Sequence, residues 1–275
     1  MTGLAATRSP VPGAARVRRI RGPRHALRTW NEAARAVRGV ETQALFLDFD
    51  GTLAPIRRRP DLVHCSKRMR NMLTKLARHH GLWLGIVSGR RTRTLKRLIG
   101  VQGIHYCGAY GAESEGSTLK ISRAAHRALF RMRKVLEREL GKLAGVWTEN
   151  KGLSLAVHYR GARGDAVAAA EEVLRRTLTQ ARSVLRIMAG RKSWEIVPRE
   201  IPGKGAAVAR VMRSLPAGSV GIYIGDDAAD EEAFAQLPGG ITIHVGLHGK
   251  TRARYFLRTP AEVLQWLVRL EEALP

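Results

Sequence analysis

The chain has 275 residues, a hydrophobic fraction of 44%, and 48 Lys and Arg against 23 Asp and Glu, for a formal net charge of +25. This length can bury a sizeable core plus a smaller unit, and the charge favours acidic partners such as phosphate esters. Two cysteines, Cys65 and Cys107, without CxxC spacing exclude a disulfide framework and a zinc site, and no apolar run nears the ~20 residues of a membrane span.

Residues 1–29 are Arg-rich, lack acidic residues and carry Pro10, Pro12 and Pro23. They read as a flexible basic tail, continued to residue 40 with a short helix over 30–39. The tail has no apolar segment of the signal-peptide kind. No aromatic-interleaved basic stripe or nucleic-acid motif accompanies the charge, so no nucleic-acid partner is expected.

From Leu45 the pattern alternates. Leu45–Asp50 reads as a strand, followed by a helix capped by Ser66, with Met69, Met72, Leu73 and Leu76 on one face and its close at Gly81. A strand at 82–87, a helix at 92–99 and a strand at 104–107 follow. Such alternation argues a parallel α/β sheet. The middle differs: a helix over about 122–143, strands at 146–149 and 154–159, a helix over 165–181, and strands at 184–188 and 193–197. Paired strands with helices between them suggest an α+β module inserted into the α/β unit. The first pattern resumes with a helix after Gly203, a strand at 220–225, a helix at 230–237 and a strand at 241–245. Thr259-Pro260-Ala261-Glu262 is a capping box that opens the last helix.

Two acidic clusters stand at strand ends: Asp48-Phe49-Asp50-Gly51-Thr52, and Gly225-Asp226-Asp227-Ala228-Ala229-Asp230-Glu231. Ligands bind beyond the carboxyl ends of parallel strands. Carboxylates gathered there repel one another without a cation, and hard oxygen donors point to Mg²⁺ with substrate phosphate. Asp230 and Glu231 also suit a helix N-terminus and nothing more. Ser88, before Gly89, can donate to a phosphoryl oxygen. Lys204, between two glycines at a helix start, adds charge to a place already favourable to anions.

In order, these four segments resemble the four motifs of the haloacid dehalogenase superfamily. That resemblance implies a Rossmann-like core with a parallel sheet plus an inserted α+β cap domain. It also implies roles: Asp48 as nucleophile forming an aspartyl-phosphate, Asp50 as general acid and base, and Ser88 and Lys204 on the phosphoryl group. Mg²⁺ would be held by Asp48, the Asp50 backbone carbonyl and Asp226. Further stretches, Tyr110-Gly111-Ala112-Glu113, Glu149-Asn150-Lys151-Gly152, Ser154–Arg160 and Gly190–Glu195, extend the likeness to trehalose-6-phosphate phosphatases over about 45–270. The domains expected are a core at 41–116 and 201–275 and a cap at 117–200. Substrate contacts are expected from Gly89, Arg90, Glu149, Lys151, Arg160, Glu195 and Asp227, while His158 receives no role. Tyr110 and Ala229 depart from that family's usual His and Thr. The implied activity is Mg²⁺-dependent hydrolysis of trehalose 6-phosphate in the cytoplasm, with a functional pairing to a trehalose-phosphate synthase. Two alternatives remain: a capped phosphatase for another sugar phosphate, such as glucosyl- or mannosyl-3-phosphoglycerate, and a non-catalytic polyanion-binding protein on the same fold.

Overall fold

A computed structural model describes residues 22–246 and 249–274. In chain order the first elements are β1 (Arg24–His25), α1 (Trp30–Arg38), β2 (Gln43–Leu47), α2 (Lys67–Leu76), β3 (Leu82–Val87), α3 (Thr92–Ile99) and β4 (His105–Cys107). A small hairpin, β5 (Glu113–Ser114) and β6 (Ser117–Thr118), leads into α4 (Arg123–Leu140), β7 (Trp147–Asn150), β8 (Leu155–His158), α5 (Gly164–Thr179), β9 (Leu185–Gly190) and β10 (Ser193–Pro198). The chain then returns through α6 (Lys204–Ser214), β11 (Val220–Gly225), α7 (Asp230–Ala235), β12 (Ile241–Val245), β13 (Tyr255–Leu257) and α8 (Pro260–Ala273).

Seven strands form one wholly parallel sheet in the order β1-β13-β12-β11-β2-β3-β4. Its central strands β2, β3 and β11 are largely apolar on both faces, as a sheet covered by helices on each side requires. Leu45 and Leu47 of β2 join Ile222 and Ile224 in the core beneath α1, α2, α3 and α8. Ala44 and Phe46 point the other way, onto α6 and α7 with Tyr223. A one-residue slip of β2 would exchange these faces, so packing fixes its register. From β2 the chain moves outward through β3 and β4, then returns at β11 to build the opposite half. The crevice between β2 and β11 is therefore a topological switch point.

Helix boundaries follow local chemistry. The hydroxyls of Ser66, Ser122 and Thr259 each accept a hydrogen bond from the backbone N–H three residues on, which satisfies an otherwise orphan donor. α2 ends at Leu76 and not at Gly81, which instead takes a left-handed turn (φ 79°) before β3. The long helix likewise closes at Leu140, three residues early.

Residues 123–198 carry a second sheet, antiparallel, in the order β7-β8-β10-β9. α4 and α5 bury their apolar faces on it, with Leu129, Met132, Leu136, Leu140 and Leu174 in one cluster with Leu155, Val157 and Ile196.

The expected tail needs correction over part of its length. Residues 1–21 lie outside the described residues. Arg24–His25 pair in parallel with β13, however, and α1 buries Ala33, Ala34 and Val37. Trp30 packs edge-on against Trp266 at 5.6 Å. Composition suggested a solvated segment because Arg dominates it, yet Arg24 is neutralised by Glu32 of α1.

Candidate active site

The ladder of β2 runs past its last residue: Asp48 N donates to Ile224 O at 2.9 Å, which sets Asp48 beside the exit of β11. The chain then turns sharply, and Gly51 adopts φ 87°. A Cβ on Gly51 would lie 2.0 Å from Asp226 Oδ2. Only glycine lets the first acidic loop close onto the carboxylate of the second.

Lys204 opens α6, next to Gly203 at φ 93°. It is 1% exposed, and its Nζ lies 2.8 Å from Asp48 Oδ1, 2.8 Å from Asp230 Oδ1 and 3.6 Å from Asp227 Oδ1. Burial works against its charge, but Asp227, Asp230 and Asp48 hold its pKa well above the ordinary lysine value. Burial raises the Asp48 carboxyl well above the usual carboxylate range, Lys204 opposes the shift, and Asp230, Asp227 and Asp226 add to it. Asp226 is pushed up to about 8 by burial and by Asp227 and Asp230. Asp227 rises to about 6, again mainly through burial.

Four carboxylates thus face Lys204 and one arginine, Arg191, whose Nη1 donates to Asp226 Oδ2 at 2.9 Å. This negative excess is what a cation would relieve. Oxygens of Asp48, Asp226 and Asp230 lie within 4.8 Å of one another, a hard donor set that suits a divalent ion. Asp230 is less suited than the other two. Its Oδ1 accepts from Lys204 Nζ and from Tyr223 Oη (2.6 Å), and its Oδ2 from the backbone N–H groups of Asp226 and Asp227 (2.9 Å each). Asp48 and Asp226 are the carboxylates whose oxygens retain capacity.

On the other side of the crevice, Arg90 grips Asp50 through two hydrogen bonds, at 2.6 and 2.7 Å, and also donates to Pro60 O. The fork geometry fixes the Asp50 carboxylate as a lysine could not. Ser88 directly follows β3, buried, and its Oγ accepts from Arg90 N at 3.2 Å, which leaves the hydroxyl proton free to donate.

The antiparallel sheet roofs this crevice. Lys151 Nζ donates to Glu195 Oε1 at 2.8 Å, and His158 Nε2 lies 2.8 Å from Glu149 Oε2 while Trp147 stacks on its ring. Glu149 stays below its ordinary pKa because His158, Lys151 and Arg90 outweigh its burial. Burial lowers Lys151, but Glu195 and Glu149 more than restore it. Arg160 Nη2 donates to Arg191 O at 2.6 Å, bracing the hairpin whose tip reaches Asp226. The cleft so enclosed measures about 850 Å³ including its open mouth, a size suited to a small ligand.

Every site residue expected from sequence lines this cleft: Asp48, Asp50, Ser88, Gly89, Arg90, Glu149, Lys151, Arg160, Glu195, Lys204, Asp226 and Asp227. Sequence reasoning missed others. Asp230, taken for a helix-terminus acid, is fully buried and anchors Lys204. A signal for it existed in Gly225, where an added Cβ would sit 2.2 Å from the Asp230 carboxyl carbon. His158, given no role, orients Glu149. Arg191 was seen only as part of a motif and Tyr110 only as a departure from the family's usual His, and Arg57 and Arg58, exposed at the mouth, carried no signal at all.

Known proteins resemble this chain in sequence and in fold. A family model described as trehalose-phosphatase matches residues 46–258. The chain is 32% identical over 269 residues to probable trehalose-phosphate phosphatase D of Arabidopsis thaliana, spanning 90% of this chain and 72% of that one. Its fold matches the C-terminal domain of C. albicans trehalose-6-phosphate phosphatase with a TM-score of 0.80 at 23% identity, covering 92% of this chain and 99% of the other. A haloacid dehalogenase-like hydrolase from Bacteroides thetaiotaomicron shares the fold at a TM-score of 0.58 and 16% identity, over 83% of this chain and 99% of that one.

Proposed function

This chain belongs to the trehalose-phosphatase family, and from that membership and its cleft we propose that it hydrolyses trehalose 6-phosphate to trehalose and phosphate. The observation that carries the proposal is the buried Asp48–Lys204 pair at the switch-point crevice, with Asp50 beside it and a sugar-sized space under the roof.

Asp48 is the nucleophile. Its carboxylate attacks phosphorus, the bond from phosphorus to the sugar oxygen breaks, and that oxygen takes a proton from Asp50. Asp50 then removes a proton from water, the water oxygen attacks phosphorus, and cleavage of the acyl phosphate restores Asp48. The bidentate Arg90 pair holds the Asp50 carboxyl at the mouth of the crevice. Ser88 and Lys204 donate to the charge that develops on the phosphoryl group. Asp48 and Asp226, with the Asp50 backbone carbonyl, would hold Mg²⁺, which when bound neutralises phosphoryl charge. Asp227 keeps the loop of the second acidic cluster in place through Ala229 N and Asp230 N.

Residues 117–200 act as a cap over a core formed by 41–116 and 201–275. Glu149, Lys151, Glu195 and Arg160 read sugar hydroxyls, which suit charged hydrogen-bonding groups. The two buried free cysteines suit a reducing cytoplasm, where a trehalose-phosphate synthase would supply the substrate.

The test is phosphate release with Mg²⁺ from trehalose 6-phosphate, glucose 6-phosphate, glucosyl-3-phosphoglycerate and p-nitrophenyl phosphate, with Asp48→Asn as blank. Strong preference for trehalose 6-phosphate, lost in the blank, is expected. Preference for another substrate would overturn the substrate assignment, and a folded protein that releases phosphate from nothing would overturn the enzymatic one.

A further inference from the structure

We propose that Tyr110 is a specificity-determining residue of the cleft, its phenol forming the wall against which the leaving sugar lies, between the loop after β3 and the roofing sheet. The inference rests on the phosphatase reading above and names the residue that discriminates among leaving groups.

Ala109, Tyr110 and Gly111 follow one another with φ of 47°, 57° and 85°. Two successive L-residues in the left-handed region persist only where the surroundings over-determine them, and such strain gathers at functional sites. Here the surroundings are specific. Ala109 N donates to Arg90 O at 2.8 Å and Tyr110 N to Ser88 O at 3.0 Å. The Glu113 carboxylate holds the far side of the same loop through Thr92 N, Thr92 Oγ1 and Arg91 Nε. Gly111 abuts Ala207 and Gly203 O at the start of α6. The strained turn is thus clamped between the supports of Ser88 and of Lys204.

What the strain achieves is aim. Tyr110 is 4% exposed, and its ring covers Gly89 so closely that a Cβ there would lie 2.6 Å from both Cζ and Oη. The ring belongs to the apolar cluster beneath the antiparallel sheet, while the side chain borders the cleft with Glu195, Lys204 and Asp227. Burial, then the charges of Glu195 and Asp227 and the hydrogen bond it offers the Glu195 carboxylate, raise the phenol well above its ordinary pKa, so its hydroxyl keeps the proton and donates. Glu195 also gives Oε1 to Lys151. A hexose seated between Ser88 and Glu195 therefore meets the hydroxyl edge of Tyr110 and the Glu195 carboxylate beside it. A leaving group without hydroxyls uses none of the polar pair.

The test compares kcat/KM for trehalose 6-phosphate and for p-nitrophenyl phosphate in Tyr110→Phe and Tyr110→Ala, with circular dichroism as the check on folding. Removal of one hydrogen bond to a charged or hydroxyl-bearing partner predicts a roughly tenfold fall for trehalose 6-phosphate in the Phe variant. The Ala variant should fall further, through KM more than kcat, and p-nitrophenyl phosphate turnover should change less than about threefold in the Phe variant. An equal fall on both substrates would reduce Tyr110 to a structural prop, and unchanged preference in both variants would also overturn the proposal. Wild-type protein that hydrolyses p-nitrophenyl phosphate but no sugar phosphate would instead overturn the functional reading on which the proposal rests.

Discussion

Lys204 Nζ lies 2.8 Å from Asp48 Oδ1, with the side chains only 2% and 5% exposed. Almost no water reaches this pair, and Lys204 at once neutralises part of the charge of Asp227 and Asp230. Removing one member of a buried pair leaves the other uncompensated. Lys204→Met should therefore lower stability by roughly 3–5 kcal/mol in urea titrations without Mg²⁺, and should cut kcat by at least about 100-fold. A variant as stable and active as wild type would mean that the lysine charge is dispensable.

The carboxylate cluster also predicts an unusual pH response. Asp226 (about 8) and Asp227 (about 6) have folded-state pKa values above the unfolded carboxylate range, so the folded state binds more protons than the unfolded one through the intervening window. Their contribution to stability is full below the unfolded value and is lost as pH rises through about 6 and then about 8. In EDTA the protein should melt at a higher temperature at pH 6 than at pH 8.5. Saturating Mg²⁺ should flatten that slope, since a bound cation takes over the role of the protons. An EDTA melting temperature that rises from pH 6 to 8.5 would contradict the arrangement.

Gly51→Ala offers a geometric check. The added methyl would stand 2.0 Å from Asp226 Oδ2 at a backbone φ of 87°, so both sterics and conformation oppose it. We expect a stability loss of about 1–3 kcal/mol and a weakened Mg²⁺ affinity by titration calorimetry. Wild-type affinity in this variant would show that the two acidic loops do not meet as described.

Truncation at residue 40 should not be silent. It removes the fully buried Val37, the partner of Trp266 and the strand on β13. Loss of buried Val37, worth about 1.5–3 kcal/mol, together with the smaller contributions of Ala33, Ala34 and the packed Trp30, predicts a clear drop in melting temperature. An unchanged melting curve would restore the view of this segment as a mere tail.

The amino-acid sequence by itself determined the alternating α/β order and many element limits. The strands at 82–87, 220–225 and 241–245 and the helix at 92–99 coincide with those observed, because apolar period, caps and glycine stops act within a few residues. It also determined the acids at strand ends, since a parallel strand delivers its last residues to one edge. Tertiary structure alone decided the rest. β1 spans only Arg24–His25 and exists through its pairing with a strand some 230 residues away. Asp230 became the anchor of Lys204, and not a solvated cap, because Tyr223 and two backbone N–H groups surround it. Arg191 reaches Asp226 only when the antiparallel sheet lies over the parallel one. The cost of burying a charge depends on which partners the fold brings within about 4 Å, and partners separated by 156 residues, as Lys204 and Asp48 are, leave no trace in any local pattern.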